Sequence, residues 1–403
     1  MRLRQRPGIP LWSSIIRVGL FILILGLGVV ATLVVGEVES LARADLSSAP
    51  VRAITPGQEG GVLYATLADE TQRGIYRSED NGRTWQLASP GPGVSLNALA
   101  VHPSNKAVLY AGAPGGPVAT SNNLWRSNDG GQTWHKFFLS LPGNVDGLIP
   151  AVTALAVDRN QPESLYVGTD GQGVYQFNVG RDGYGYELVG GVSMVDAHVA
   201  KLAIGPDSRI YALTPEGIFI NRDDEAWEKL DTLPDYPVSV AVAPTDPQLI
   251  YAGSASSGAY RSTDGGRTWT NIAEGLGLIP GAALRVTALT VDEADAQHVA
   301  AATAYGIGKQ LAGSGIYESQ DGGDSWTQLG ETEELVNELI FSDGAIQAVT
   351  AKGLIRYGKP DTTEPTLPFG LDSLIQLSGL QLFMLALTTG LGGLALVSQK
   401  KWG

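Results

Sequence analysis

Short strands dominate the hydrophobic pattern of this chain, and they recur on one plan. Each unit opens with alternating small and apolar residues. The openings are Val51-Arg-Ala-Ile, Leu96-Asn-Ala-Leu-Ala-Val, Val152-Thr-Ala-Leu-Ala-Val, Val199-Ala-Lys-Leu-Ala-Ile, Val238-Ser-Val-Ala-Val, Val286-Thr-Ala-Leu-Thr-Val and Val336-Asn-Glu-Leu-Ile-Phe. A second strand follows, as in Leu63-Tyr-Ala-Thr, Leu109-Tyr-Ala-Gly, Leu165-Tyr-Val-Gly, Ile210-Tyr-Ala-Leu and Ile250-Tyr-Ala-Gly. Then come an aromatic strand, a polar turn and, in most units, a Trp-led strand. Apolar runs of this length between Gly, Pro and Asp clusters read as strands, and self-similarity at a fixed period signals a solenoid or propeller. Seven openings predict an all-β, seven-bladed β-propeller over residues 51–357. The seventh unit stops after three strands at Gly353-Leu-Ile-Arg-Tyr357, so the 37–50 connector, near Leu41–Ser48, is expected to supply the closing strand.

The two ends follow a different length scale. Residues 18–36 and 374–397 are uncharged and apolar, long enough to cross a bilayer as one transmembrane α-helix each. Arg2, Arg4, Arg6 and Arg17 flank the first, and Lys400 and Lys401 follow the second. The positive-inside rule places residues 1–17 and 398–403 in the cytoplasm and the middle outside it. The alternative for the front is a signal peptide cleaved near Ala42-Arg-Ala44; the orientation of the middle is the same. A Pro- and Thr-rich linker, 358–373, tethers the propeller to the second helix.

The polar turn is a repeated box. Ser78-x-Asp80-x-Gly82-x-Thr84-Trp85 recurs around Ser127, Asp129, Gly131 and Trp134, again around Ser262, Asp264, Gly266 and Trp269, and around Ser319, Asp321, Gly323 and Trp326. An Asp that accepts from backbone N–H groups just after it makes an Asx-type turn, and a Gly two residues on takes positive φ without steric cost. The Trp then buries a large apolar face. Units three and four lack a clean box.

This pattern resembles the Asp-box, or BNR repeat, of sialidase-like propellers, in which the boxes are peripheral and structural. Units of the form Gly-x-Tyr-x-Ser-x-Asp-Gly-Gly-x-x-Trp also resemble the photosystem II assembly and stability factors. Those are non-catalytic seven-bladed propellers that chaperone membrane-protein assembly. Sortilin-type receptors share the propeller but add a Cys-rich segment, and this chain has no Cys.

Charge and residue inventory then narrow the chemistry. With 27 basic and 41 acidic residues in all, and six of the basic ones in the two end segments, the 37–372 region carries 21 against 41, a net of −20. That balance excludes nucleic-acid binding, which depends on Lys and Arg. Four scattered His and no Cys point to no metal and no cofactor. A sialidase-like reading needs a cationic triad, and Arg52, Arg285 and Lys201 do not assemble into one by spacing. A two-carboxylate glycosidase needs facing acids; Asp170 and Asp146 are loop acids, while Asp182 and the Asp69-Glu70 pair read as turn residues. The loops opposite the boxes are unusually apolar at Leu148-Ile149 and Leu278-Ile279, and long from Thr303 to Ser314, where Tyr305 and Lys309 are candidate contacts. Exposed apolar patches often mark interaction sites; the alternative is that these loops fold over the channel mouth and bury themselves. The expectation is a protein-binding scaffold or assembly factor at the membrane, with a glycan-binding protein or glycoside hydrolase as the alternative.

Overall fold

A computed structural model describes residues 43–358, apart from 45, 47–48, 69–72, 118–122, 138–147, 180–185, 192–196, 222–225, 231, 280 and 308–309. The apolar end segments 18–36 and 374–397 lie outside the described residues. Ala44–Lys359 forms one compact unit.

The unit is a seven-bladed propeller. Among the described residues six blades hold four antiparallel strands in chain order, here A to D from the axis outward, with Gly116–Pro117 intervening in blade two, and the seventh holds three: Val336–Ser342, Ala345–Thr350 and Gly353–Gly358. Most of the connector expected to close blade seven lies outside the described residues; Arg43–Ala44 lies along Trp85–Ser89, the D strand of blade one. Two residues on, the Leu46 carbonyl accepts from Leu354 N–H of blade seven at 2.9 Å. The segment therefore touches both blades at the closure of the ring.

Seven apolar clusters hold the blades together, one at each seam. Blades one and two share Ala53, Tyr64 and Ile75 with Leu99, Leu109 and Trp125. Blades five and six share Tyr251 and Ile272 with Leu284 and Leu289. The last seam joins Trp85, Val51 and Leu46 to Ile340, Val349 and Leu354, which closes the circle. Small residues in the B strands permit this convergence, as the sequence predicts. A Cβ on Gly253 would stand 2.2 Å from Ser239 Oγ and 2.4 Å from the Val286 carbonyl of the next blade.

The boxes form as their residues dictate. In each, the Ser hydroxyl donates to the Asp Oδ1 at 2.8 Å. The Ser Oγ in turn accepts from the box Gly N–H at 2.7–2.9 Å. The Thr or Ser four residues after the Asp donates through both N–H and hydroxyl. Gly82, Gly131, Gly266 and Gly323 all take φ between 77° and 95°, the left-handed region that Gly occupies at no Cβ penalty. Blade-to-blade clamps, which the repeat pattern does not reveal, are added to this. Arg261 donates to the Gly322 carbonyl at 2.9 Å and pairs with Asp324 of the next box. At the closing seam, Gln347 Nε2 and Arg356 Nε both donate to the Asn81 carbonyl, at 2.7 and 3.2 Å.

Those bonds set an acid limit. Thr268 holds the Asp264 carboxylate at about 2, and Ser325 does the same for Asp321. For Asp80, burial pushes upward, but the bonds from Thr84 and Ser78 outweigh it and the pKa is lowered. A carboxylate depressed on folding adds stability that is complete above its ordinary pKa near 3.8 and is lost as pH falls toward the folded value. The melting temperature is therefore expected to fall between about pH 4 and pH 2. In a variant with Asp264→Asn and Asp321→Asn the melt starts lower at neutral pH and that acid fall is shallower; thermal melts across the range check it.

Candidate partner-binding face

Antiparallel order fixes which turns share a face. The A–B and C–D turns, with every box, lie on one; the B–C and D–A connections lie on the other. Among the described residues seven large apolar side chains are exposed: Leu87, Val94, Leu148, Tyr236, Leu278, Ile279 and Leu311. Val94, Leu148, Tyr236, Leu278 and Ile279 stand on D–A connections, and Leu311 stands on the C strand of blade six next to its B–C turn. Among the described residues, the face away from the boxes therefore carries six of the seven large exposed apolar side chains.

The expected loop residues divide on inspection. Leu278 and Ile279 are 58% and 49% exposed, on the D–A connection between blades five and six. Leu148 is exposed but Ile149 is buried at 4%, in the seam of blades two and three. Leu148–Ile149 pairs with Gly116–Pro117 as a two-stranded ribbon across this face, so strand alternation sends one side chain out and the next in. Tyr305 is half-buried and its hydroxyl donates to the Gly277 carbonyl, pinning the 275–282 connection. Lys309 and Asp146 lie outside the described residues, as do Asp182, Asp69 and Glu70.

The described residues between Thr303 and Ser314 continue two strands rather than form a loop. Val299–Ile307 and Gln310–Ser319 remain paired out to Ile307 opposite Gln310. Blade six thus raises a hairpin above its neighbours, with Leu311 exposed on it. Sequence reasoning missed Leu311 and Tyr236. The alternation in Ala304-Tyr-Gly-Ile and Gln310-Leu-Ala-Gly was the available signal for the first, and Tyr236 sits in a Pro-flanked turn with no pattern to expose it.

The channel mouth on this face has a regular ring. Backbone register shifts fall at Arg52, Thr153, Val238, Thr287 and Asn337. Asn97 and Ala200 take the same place, donating N–H to Gly112 and Leu213. These β-bulges align the positions that the repeat equates. Arg52 donates to Asn97 Oδ1 at 2.6 Å. Arg285 and Lys201 stand on the axial strands of blades six and four. Further along, burial pushes the Glu338 carboxyl pKa up while the Lys201 ammonium pulls it back.

Two of the described acids on this face, Asp170 and Asp235, are engaged by neighbours. Asp170 accepts from His198. Asp235 accepts from Tyr236 N–H and from Ser256 N–H and hydroxyl; burial opposes ionisation, yet those bonds hold it at about 2. Both acids brace turns.

Boxes, blade count and seams define an Asp-box seven-bladed β-propeller, and comparison with known proteins agrees. The profile of the BNR/Asp-box repeat matches residues 125–136. Among solved structures, the fold is similar to YCF48 bound to a D1 peptide: TM-score 0.56, 15% identity, 79% of this chain and 96% of that one. It is also similar to YCF48 from Cyanidioschyzon merolae, at TM-score 0.56 and 12% identity, over 80% of this chain and 99% of that one. A GH74 xyloglucanase from Xanthomonas campestris aligns with TM-score 0.55 and 17% identity, over 78% of this chain and 53% of the enzyme. In sequence, a xyloglucanase from Paenibacillus is 26% identical over 261 residues, 52% of this chain and 24% of the enzyme. The chain thus spans about a quarter of that enzyme's length. At these identities the structural likenesses concern the fold.

Proposed function

We propose that this chain is a non-catalytic, protein-binding propeller that serves as a scaffold or assembly factor for a membrane protein complex. Apolar helices at 18–36 and 374–397 anchor it, with the propeller on the extracytoplasmic side and both ends cytoplasmic. The observation that carries this reading is the concentration of exposed apolar side chains on one face, above rigid blades. Binding residues sit on connections held by a fixed scaffold. The fold shared with YCF48, solved with a D1 peptide, supports a protein ligand, and the engagement of Asp170 and Asp235 in turns supports a site without an acid–base pair.

A glycan-directed activity is the second reading. Similarity to xyloglucanases over half of the chain favours it. One pair of assays separates the two. The full-length protein, extracted from its native membrane in mild detergent, is expected to bring down a stoichiometric membrane-protein partner and to leave xyloglucan uncleaved. Isolation alone, with release of reducing ends from xyloglucan, would reverse the order of the two readings.

A further inference from the structure

The apolar side chains of the box-free face are not spread evenly. Over blades five and six they form one connected patch, because the segments that carry them are bonded to each other. Ala255 N–H donates to the Tyr236 carbonyl at 2.8 Å, and Leu284 N–H to the Ser256 carbonyl at 3.0 Å. Asn271 Nδ2 donates to the Ser257 carbonyl at 2.9 Å, and the Tyr305 hydroxyl to Gly277. The patch thus joins two D–A connections, the tight turn of blade five and the raised hairpin of blade six. Tyr236, Leu278, Ile279 and Leu311 stand exposed along it, at 45–58%.

The charges around the patch have one prevailing sign. The described residues of 230–236, 255–258, 272–285, 310–311, 331–335 and 351–353 hold five acids, Asp235, Glu274, Glu331, Glu333 and Glu334. Their described bases are Arg285 and Lys352, a net of −3. Lys352 is neutralised by its pair with Glu334, and Arg285 lies on the axial strand. Glu274, Glu331 and Glu333 are exposed. Glu331 is close enough for its charge to raise the Tyr317 pKa, after burial and Tyr305, and that hydroxyl lies against Gly277. The acids therefore border the apolar residues.

An apolar centre inside an acidic rim selects by charge. Complementary rims steer encounter and reject like-charged partners, and the negative surface of anionic lipid is repelled. We propose that the patch over blades five and six docks a protein segment whose apolar side chains are flanked by lysines or arginines. This rests on the protein-binding reading above and goes beyond it by fixing the place and the partner's charge.

Site-specific crosslinking of the full chain in its native membranes tests it. Photoreactive benzoyl-phenylalanine is placed singly at Ile279, Leu311 and Leu148, and adducts are sequenced by mass spectrometry. Adducts from Ile279 and Leu311 are expected on one protein segment with apolar residues between Lys or Arg. Their yield should fall about fivefold or more when salt is raised to about 0.5 M, where exposed charges are screened. The same fall is expected on combining Glu331→Lys with Glu333→Lys. Adducts on lipid, on a second copy of this chain, or on a segment flanked by acids overturn the proposal. Protein adducts from Leu148 alone overturn it while leaving the protein-binding reading standing. Absence of protein adducts at all three positions overturns both.

Discussion

Replacing Trp85 with alanine is expected to cost about 3–5 kcal/mol, as for other buried Trp truncations, and to lower the melting temperature by on the order of 10 °C. The matching change at Trp134 is expected to cost about 1–2 kcal/mol, within the common range for single substitutions. The two residues hold the same place in the box, and each donates its indole N–H to the box Gly carbonyl, at 3.0 and 2.9 Å. They differ in what covers them. Trp85 is 2% exposed and packs in the closing seam with Leu46, Val349 and Leu354. Trp134 is only partly buried, at the edge of the first seam. Truncating Trp85 opens a cavity at the join between the last blade and the first, where the chain has only three strands on one side. Thermal melts of the two variants side by side check this, and equal losses would mean that the closing seam is no weaker point than the others.

The second large effect is on binding. Leu278→Asp combined with Ile279→Asp is expected to leave stability within about 0.5 kcal/mol, because both side chains are exposed and make no seam. Partner retention should fall more than tenfold, equivalent to about 1.4 kcal/mol, since few apolar side chains carry most of an interface. Ile149→Asp makes the contrast. It lies in a comparable connection, but its side chain fills the seam of blades two and three, so the expected result is loss of folded protein. Melting temperature and the amount of partner retained per mole of purified chain separate the two outcomes.

Much of the fold is written in local spacing. The boxes are legible because their bonds span four residues, so Ser262, Asp264, Gly266 and Thr268 specify the turn without help from elsewhere. The seven opening strands are legible because each must put small residues where blades converge, as at Gly253. Features set by tertiary contact are not legible in this way. Arg261 and Gln347 look like ordinary strand residues until the neighbouring box comes into reach. Arg43–Ala44 pairs with blade one, a choice between two edges that no periodicity decides. The candidate face was half legible: apolar connections could be seen in the sequence, but Ile149 turns inward, Leu278 and Ile279 turn outward, and only the register of the strands says which. The raised hairpin of blade six was hidden by its Gly residues, which read as a loop although pairing continues through them.

Hydrogen–deuterium exchange on the partner-bound and isolated protein tests the central claim most directly. The account predicts slowed exchange on partner binding at residues 274–284 and 303–315, with the four boxes unchanged. Protection at the boxes instead, or on neither face, would contradict the assignment of binding to the face away from them.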